Sequence, residues 1–277
     1  MPFSFAMPLL TYPDPTPTGG FARALDLAAT LGGRLTALVE ETDIPDINNV
    51  LAELLIDVPA MAAAAEARSR ANGAELVATL SHQAERLALP LEVERVRSRP
   101  ELAPDAIAHA ARTHDFALLL SPDANDEHAA MVEAVLFGSG GPVIVFSGTD
   151  GPAHLETVAV AWDGSRSAAR ALRDAMPVLA LAGRTVILTE RDDKPIDPAS
   201  VDKVRRLLES HSIGSFHVEV APGPESVGES LQHAALAQDA GLLVMGAYGH
   251  TRLREFVLGG ATRAVLASPK LAVLMSH

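Results

Sequence analysis

Three glycines at fixed distances are the residues here whose spacing could do chemistry through the main chain. Gly246, Gly249 and Gly259 form a G-x2-G-x9-G arrangement, followed by Gly260, Ala261 and Thr262. They come directly after the apolar run Leu242-Leu243-Val244-Met245, which reads as a buried strand ended by glycine. From about Thr251 to Leu258, Leu253, Phe256 and Val257 recur at helical spacing, and a further helix is expected from about Thr262. The expected order is strand, glycine turn, short helix, glycine turn, helix. Glycine lets the backbone take positive φ and lets a ligand approach it closely. The free N–H groups and the dipole of the following helix favour an anion. Two such turns, brought together by the short helix, could hold a run of phosphates. Spacing alone leaves open two ordinary turns in which glycine serves sterics only.

A second constellation is Ala161-Trp162-Asp163-Gly164-Ser165. Asp163 leaves a buried strand just before a helix. It is either a turn or capping carboxylate, or a carboxylate placed at the same sheet edge as Gly246 to meet a ribose or a base. His250 beside Gly249 could touch a phosphate or be a solvated loop histidine. Arg252 and Arg254 carry the same two readings, and Tyr248 and Trp162 could pack on a base or in the core. There is no Walker lysine loop and no G-x-S-x-G elbow, and His109 and His114, five apart, have no helical ligand spacing. With no general base or metal-binding carboxylate pair evident, turnover of a bound nucleotide would be slow.

The elements that position these residues alternate. In the second half strands are expected at Thr157–Trp162, Thr185–Thr189, Phe216–Ala221, Leu242–Met245 and Ala272–Met275, with helices at Arg166–Ala182, Pro198–His211 and Glu225–Ala237. The fold class is α/β: two tandem doubly wound domains, each a mainly parallel five-stranded sheet with helices on both faces. Ligands in such sheets bind at the carboxyl ends of strands, near the switch in strand order.

Duplication is visible in the chain. Pro100-Glu101, His109-Ala110-Ala111, Asp115 and Leu118-Leu119 recur 124 residues later; Ala22–Leu25 recurs 147 later and Gly33-Arg34 150 later. The offset falls by about 26, so the first half carries an insert at about 40–80, including the helical segment Val58–Thr79. The expected domains are residues 1–147 and 155–277, joined by a turn-rich linker at 148–154. At the 124 offset Gly246 falls on Pro122 and Gly249 on Asn125, within SPDANDEH, which has three acids and no glycine. Acids repel phosphate and proline lacks an N–H, so the first half is expected to keep the architecture without the site. Asp14 is the candidate match for Asp163. Gly138-Ser139-Gly140-Gly141 leads directly into Pro142 and an apolar strand, leaving no room for a last helix.

The chain has 277 residues, 48% hydrophobic and 21% charged, enough for two packed cores. A net charge of −13 argues against nucleic acid or an anionic membrane as partner. There are no cysteines, hence no disulfides. Neither a signal peptide nor a membrane span is evident, and a cytoplasmic location is expected.

The G-x2-G-x9-G motif, the phrase GAYGHTRLREFVLGGATRAVL and the closing LMSH resemble the tandem universal stress proteins of bacteria. The resemblance covers both halves, strongly in the second. One departure is Gly260, where the family pattern has Ser or Thr. The resemblance implies a non-enzymatic stress-response module that binds ATP or a related adenine nucleotide, with or without Mg2+, in the second half. The residues it points to are Ala161, Asp163, Thr189, Gly246, Gly249, His250, Gly259, Gly260, Ala261 and Thr262. It also implies an intramolecular pseudo-dimer in which Val143–Phe146 and Ala272–Met275 meet; a further homodimer is left open. Two alternatives stand beside this reading: an interaction protein in which the glycines are turn residues, and, less supported, a slow nucleotide hydrolase or adenylating enzyme.

Overall fold

Short apolar runs bounded by glycine, proline or charge become strands, and the 3.6-period segments between them become helices that cover both sheet faces. The computed structural model describes residues 2–45, 57–121, 126–147, 154–190, 196–221, 223–247 and 260–277. The first half runs β1 (Ser4–Leu9), α1 (Phe21–Thr30), β2 (Arg34–Thr42), α2 (Val58–Arg86), β3 (Leu91–Ser98), α3 (Ala103–Ala111), β4 (Phe116–Ser121), α4 (Asp126–Gly138) and β5 (Val143–Ser147). The second runs β6 (Thr157–Ala161), α5 (Arg166–Asp174), α6 (Met176–Leu179), β7 (Arg184–Glu190), α7 (Pro198–Ser210), β8 (Ser215–Val220), α8 (Val227–Ala237), β9 (Leu242–Gly246), α9 (Gly260–Ala267) and β10 (Ala272–Ser276).

Among the described residues ten strands form one sheet in the order β3-β2-β1-β4-β5-β10-β9-β6-β7-β8. Pairing is parallel within each half. The one antiparallel ladder is β5 with β10, where Val145, Ile144 and Val143 face Val273, Leu274 and Met275. The two segments expected to meet across the halves do meet. One apolar layer packs α1, α2, α5, α6 and α7 on the first sheet face, and a second packs α3, α4, α8 and α9 on the other. Strand side chains alternate between the layers, as Ile187 and Leu188 do.

Three expectations change. The helix expected over Arg166–Ala182 breaks after Asp174, because Pro177 has no N–H to donate and its ring crowds the preceding turn. Ala175 still bonds back to Ala171 O, and Val178 restarts the ladder on Ala175 O. The first half does have a last helix: α4 occupies the segment before Gly138, burying Met131, Val132, Val135 and Leu136. The glycine turn therefore ends a helix, with Gly140 at φ +75, instead of beginning one. The insert helix is one element of 29 residues, longer than expected, against 13 for α7. Its Leu80 and Ala84 occupy the places of Val204 and Leu208, so the added length lies at its N-terminal end.

Candidate functional site

In the second half the chain moves from β6 outward to β7 and β8, then crosses to β9 and β10 on the other side. The switch in strand order lies between β6 and β9, where an open α/β sheet leaves a crevice at its carboxyl edge. Ala161 ends β6, Thr189 lies in the last turn of β7, and Gly246 ends β9. Their strands are neighbours: Ala161 pairs with Leu188, and Val160 with Val244. The structure thus gathers Ala161, Asp163, Thr189 and Gly246 at one edge. Gly249, His250 and Gly259 lie outside the described residues, as do Tyr248, Arg252, Arg254 and the short helix expected from Thr251 to Leu258.

Local contacts account for several of these residue types. Asp163 is exposed, and its Oδ1 accepts from Ser165 N at 2.8 Å, the geometry of an aspartate turn. Gly164 follows at φ +76, and Ser165 caps α5 by accepting from Ala168 N at 3.1 Å. Gly246 sits against the first turn of α5: a Cβ there would fall 2.4 Å from Ala168 N and 2.8 Å from Ser167 Oγ. Trp162 donates its Nε1–H to Ser200 Oγ at 2.9 Å and joins the first apolar layer. The indole is thus a bridge to α7. Thr189 is buried, with its hydroxyl 2.7 Å from His217 Nε2.

Four helices of this half begin at the carboxyl edge, and three are closed by their own side chains. Ser165 caps α5, and Asp197 caps α7 by accepting from Ala199 N at 2.9 Å. Ser226 and Glu229 form a reciprocal box on α8, and the two hydrogen bonds from Ser226 hold the Glu229 carboxyl below its ordinary value. The fourth, α9, is described from Gly260, which is exposed; the residue that would cap it, Gly259, lies outside the described residues. A Cβ at Gly260 would meet nothing within 4 Å among the described residues. Ala261 is half-buried, its carbonyl turned to α8 so closely that a Cβ on Gly228 would fall 2.4 Å away. Thr262 is buried.

Beside Thr189 a cleft of about 540 Å³ opens between the ends of β7 and β8 and the start of α7. Its walls include Pro198, Val201, Asp202, Arg205, His217 and Glu219. Sequence reasoning passed over these residues and over the Ser165 and Ser167 hydroxyls, 3.1 Å apart beside Gly246. The Asp-Gly-Ser order was the available signal for the cap; nothing local marked the cleft. Among the described residues no group of three or more His, Asp or Glu could hold a metal ion. No helix among them is long and apolar enough to cross a membrane.

No family model matches the sequence, and no curated protein matches it. Solved structures do match by fold. A universal stress protein from Archaeoglobus fulgidus DSM 4304 superposes with a TM-score of 0.72 at 17% identity, over 99% of this chain and 96% of that one. A putative universal stress protein from Pseudomonas aeruginosa UCBPP-PA14 gives a TM-score of 0.56 at 15% identity, over 99% and 92%. A protein of unknown function from Pseudomonas aeruginosa PAO1 gives 0.55 at 15%, over 98% and 92%. The chain is thus similar over nearly its whole length to solved universal stress proteins, and that is its fold.

Proposed function

We propose that the chain is a universal stress protein-like module of the tandem type, whose second half holds ATP or a related adenine nucleotide without appreciable turnover. The observation that carries this reading is the gathering of Ala161, Asp163, Thr189 and Gly246 at the carboxyl edge beside the β6/β9 switch, with α9 following from Gly260. In this reading polyphosphate lies across that helix start and the turn after Gly246. Asp163 meets the ribose through the oxygen its own turn leaves over, and the end of β7 near Thr189 meets the base. Gly249, His250 and Gly259 complete the phosphate contacts, and Mg2+ would accompany the phosphates. Nucleotide would then act as a conformational signal.

Isothermal titration with ATP tests this directly, alongside Gly260→Ser and Gly260→Asp. Among the described residues nothing obstructs either substitution. Serine is expected to bind at least as tightly as the unaltered chain. Aspartate at a helix start stabilises the fold by about 0.3–1 kcal/mol, yet it should weaken ATP roughly tenfold or more by repelling phosphate. Stability and affinity would then move in opposite directions. Absence of heat from the unaltered chain would sink the proposal.

A second reading has its own support. Gly246 is explained by its contact with α5, and Asp163 by its turn, with no ligand needed. On that reading the chain is an interaction protein, and ATP would raise its unfolding free energy by nothing. A bound nucleotide at one hundred times its Kd would add about 2.7 kcal/mol.

A further inference from the structure

The corner formed by the ends of β1 and β2 in the first half is filled by side chains of α2. Thr42 N, at the end of β2, donates to Ser69 Oγ at 3.1 Å, and Ile44 N donates to Glu66 Oε1 at 3.1 Å. Asn72 Nδ2 donates to Thr11 O at 2.8 Å, just beyond β1. Ser69 Oγ lies 2.7 Å from Thr11 Oγ1, which in turn lies 2.6 Å from Glu40 Oε2. A hydroxyl donates one proton, and Thr11 Oγ1 donates its own to Glu40. The direction is therefore settled: Thr42 N–H to Ser69, Ser69 to Thr11, Thr11 to Glu40. Thr42 Oγ1 completes the set by donating to Glu40 Oε1 at 2.8 Å. Thr11, Glu40, Thr42 and Ser69 are all buried, Glu40 with 1% of its surface exposed.

Glu66, Ser69, Asn72 and Gly73 recur at helical spacing on one face of α2. Gly73 admits the close approach, since a Cβ there would lie 3.1 Å from Val39 Cγ1. At the 124-residue offset this stretch corresponds to 190–197, ahead of the first residue of α7. In the second half the cleft of about 540 Å³ lies against the end of β7, the strand that answers to β2.

We infer that the N-terminal extension of α2 is a built-in ligand surrogate. It presents a carboxylate and a hydroxyl to main-chain N–H groups, and an amide to a main-chain carbonyl, so the first half's strand-end cleft is permanently occupied from within. This gives the insert a role, and it holds whether or not the second half takes a nucleotide.

The chain has no cysteine, so Thr11→Cys places a single thiol at the floor of the corner. Its reaction with a maleimide is expected to be at least about tenfold slower than when Glu66→Ala, Ser69→Ala and Asn72→Ala are added. Equal rates in the two variants would overturn the inference. The unsubstituted chain supplies a second measurement that no folding defect can spoil: amide exchange at Thr42 and Ile44. Both are expected to exchange as slowly as the middle of β2. Exchange about tenfold or more faster than that would show the corner open and overturn the assignment. Neither measurement involves nucleotide.

Discussion

At Gly246 the strand yields space to a helix; in the first half the helix yields it to the strand. A Cβ on Gly20, at the start of α1, would fall 2.5 Å from Leu120 Cδ2 of β4. Gly20 and Ser167 are equivalent at the 147-residue offset, and Leu120 stands near the place of Gly246. The same crossing is built twice with the small residue on opposite partners. The partners differ in softness: Gly246 is pressed by backbone atoms of Ser167 and Ala168, Gly20 mainly by the tip of a leucine. Gly246→Ala is therefore expected to cost about 2–3 kcal/mol in denaturant unfolding, and Gly20→Ala less than about 1.5 kcal/mol. Equal costs would show that the α5 contact is not what demands glycine. Another residue-scale effect is pH. His128, in the first turn of α4, is 4% exposed, and neither ring nitrogen has a hydrogen-bond partner among the described residues. Burial lowers its pKa from 6.5, with Asp14 opposing. The unfolded chain then binds the proton first, so stability falls as pH drops below about 6.5, by at most about 1.4 kcal/mol per pH unit. His128→Leu should flatten that slope below about pH 6.5 in unfolding titrations; an unchanged slope would place the proton uptake elsewhere.

The elements show why some of this was legible beforehand. The apolar runs of β5, β9 and β10 and the alternation of strands and helices follow from composition and period, and the structure has them within a residue or two. The α5/α6 break was written in Pro177, but Ala171, Leu172, Ala175 and Leu179 keep helical spacing through it and mask it. α4 was missed because its acidic start reads as loop, while its apolar residues lie close to a glycine turn and the strand beyond. Asp163 and Gly246 were correctly placed at one edge, since strand ends are local information. The buried chain from Thr42 to Glu40 was not legible: Thr11 and Ser69 are 58 residues apart, and no local pattern links them. Three self-capped helix starts are readable as Ser165, Asp197 and Ser226.

The whole molecule is held as one sheet by its seam. Leu274 faces Ile144 there, and both are fully buried. Flanking contacts reinforce it: Arg170 Nη2 donates to Gly140 O at 3.2 Å, and the rings of Phe137 and His277 meet edge to face at 4.8 Å. Leu274→Ala is expected to cost about 2–5 kcal/mol, and in calorimetry both halves should shift together in one transition. Two separate peaks, with only the second half affected, would mean that the seam does not couple them. The antiparallel ladder has a further geometric effect. Because polarity reverses between β5 and β10, the strands of the two halves finish on opposite margins of the sheet. Whatever docks against the α9 margin is therefore remote from the Thr11–Glu40 corner. Duplication has produced a molecule with a front and a back.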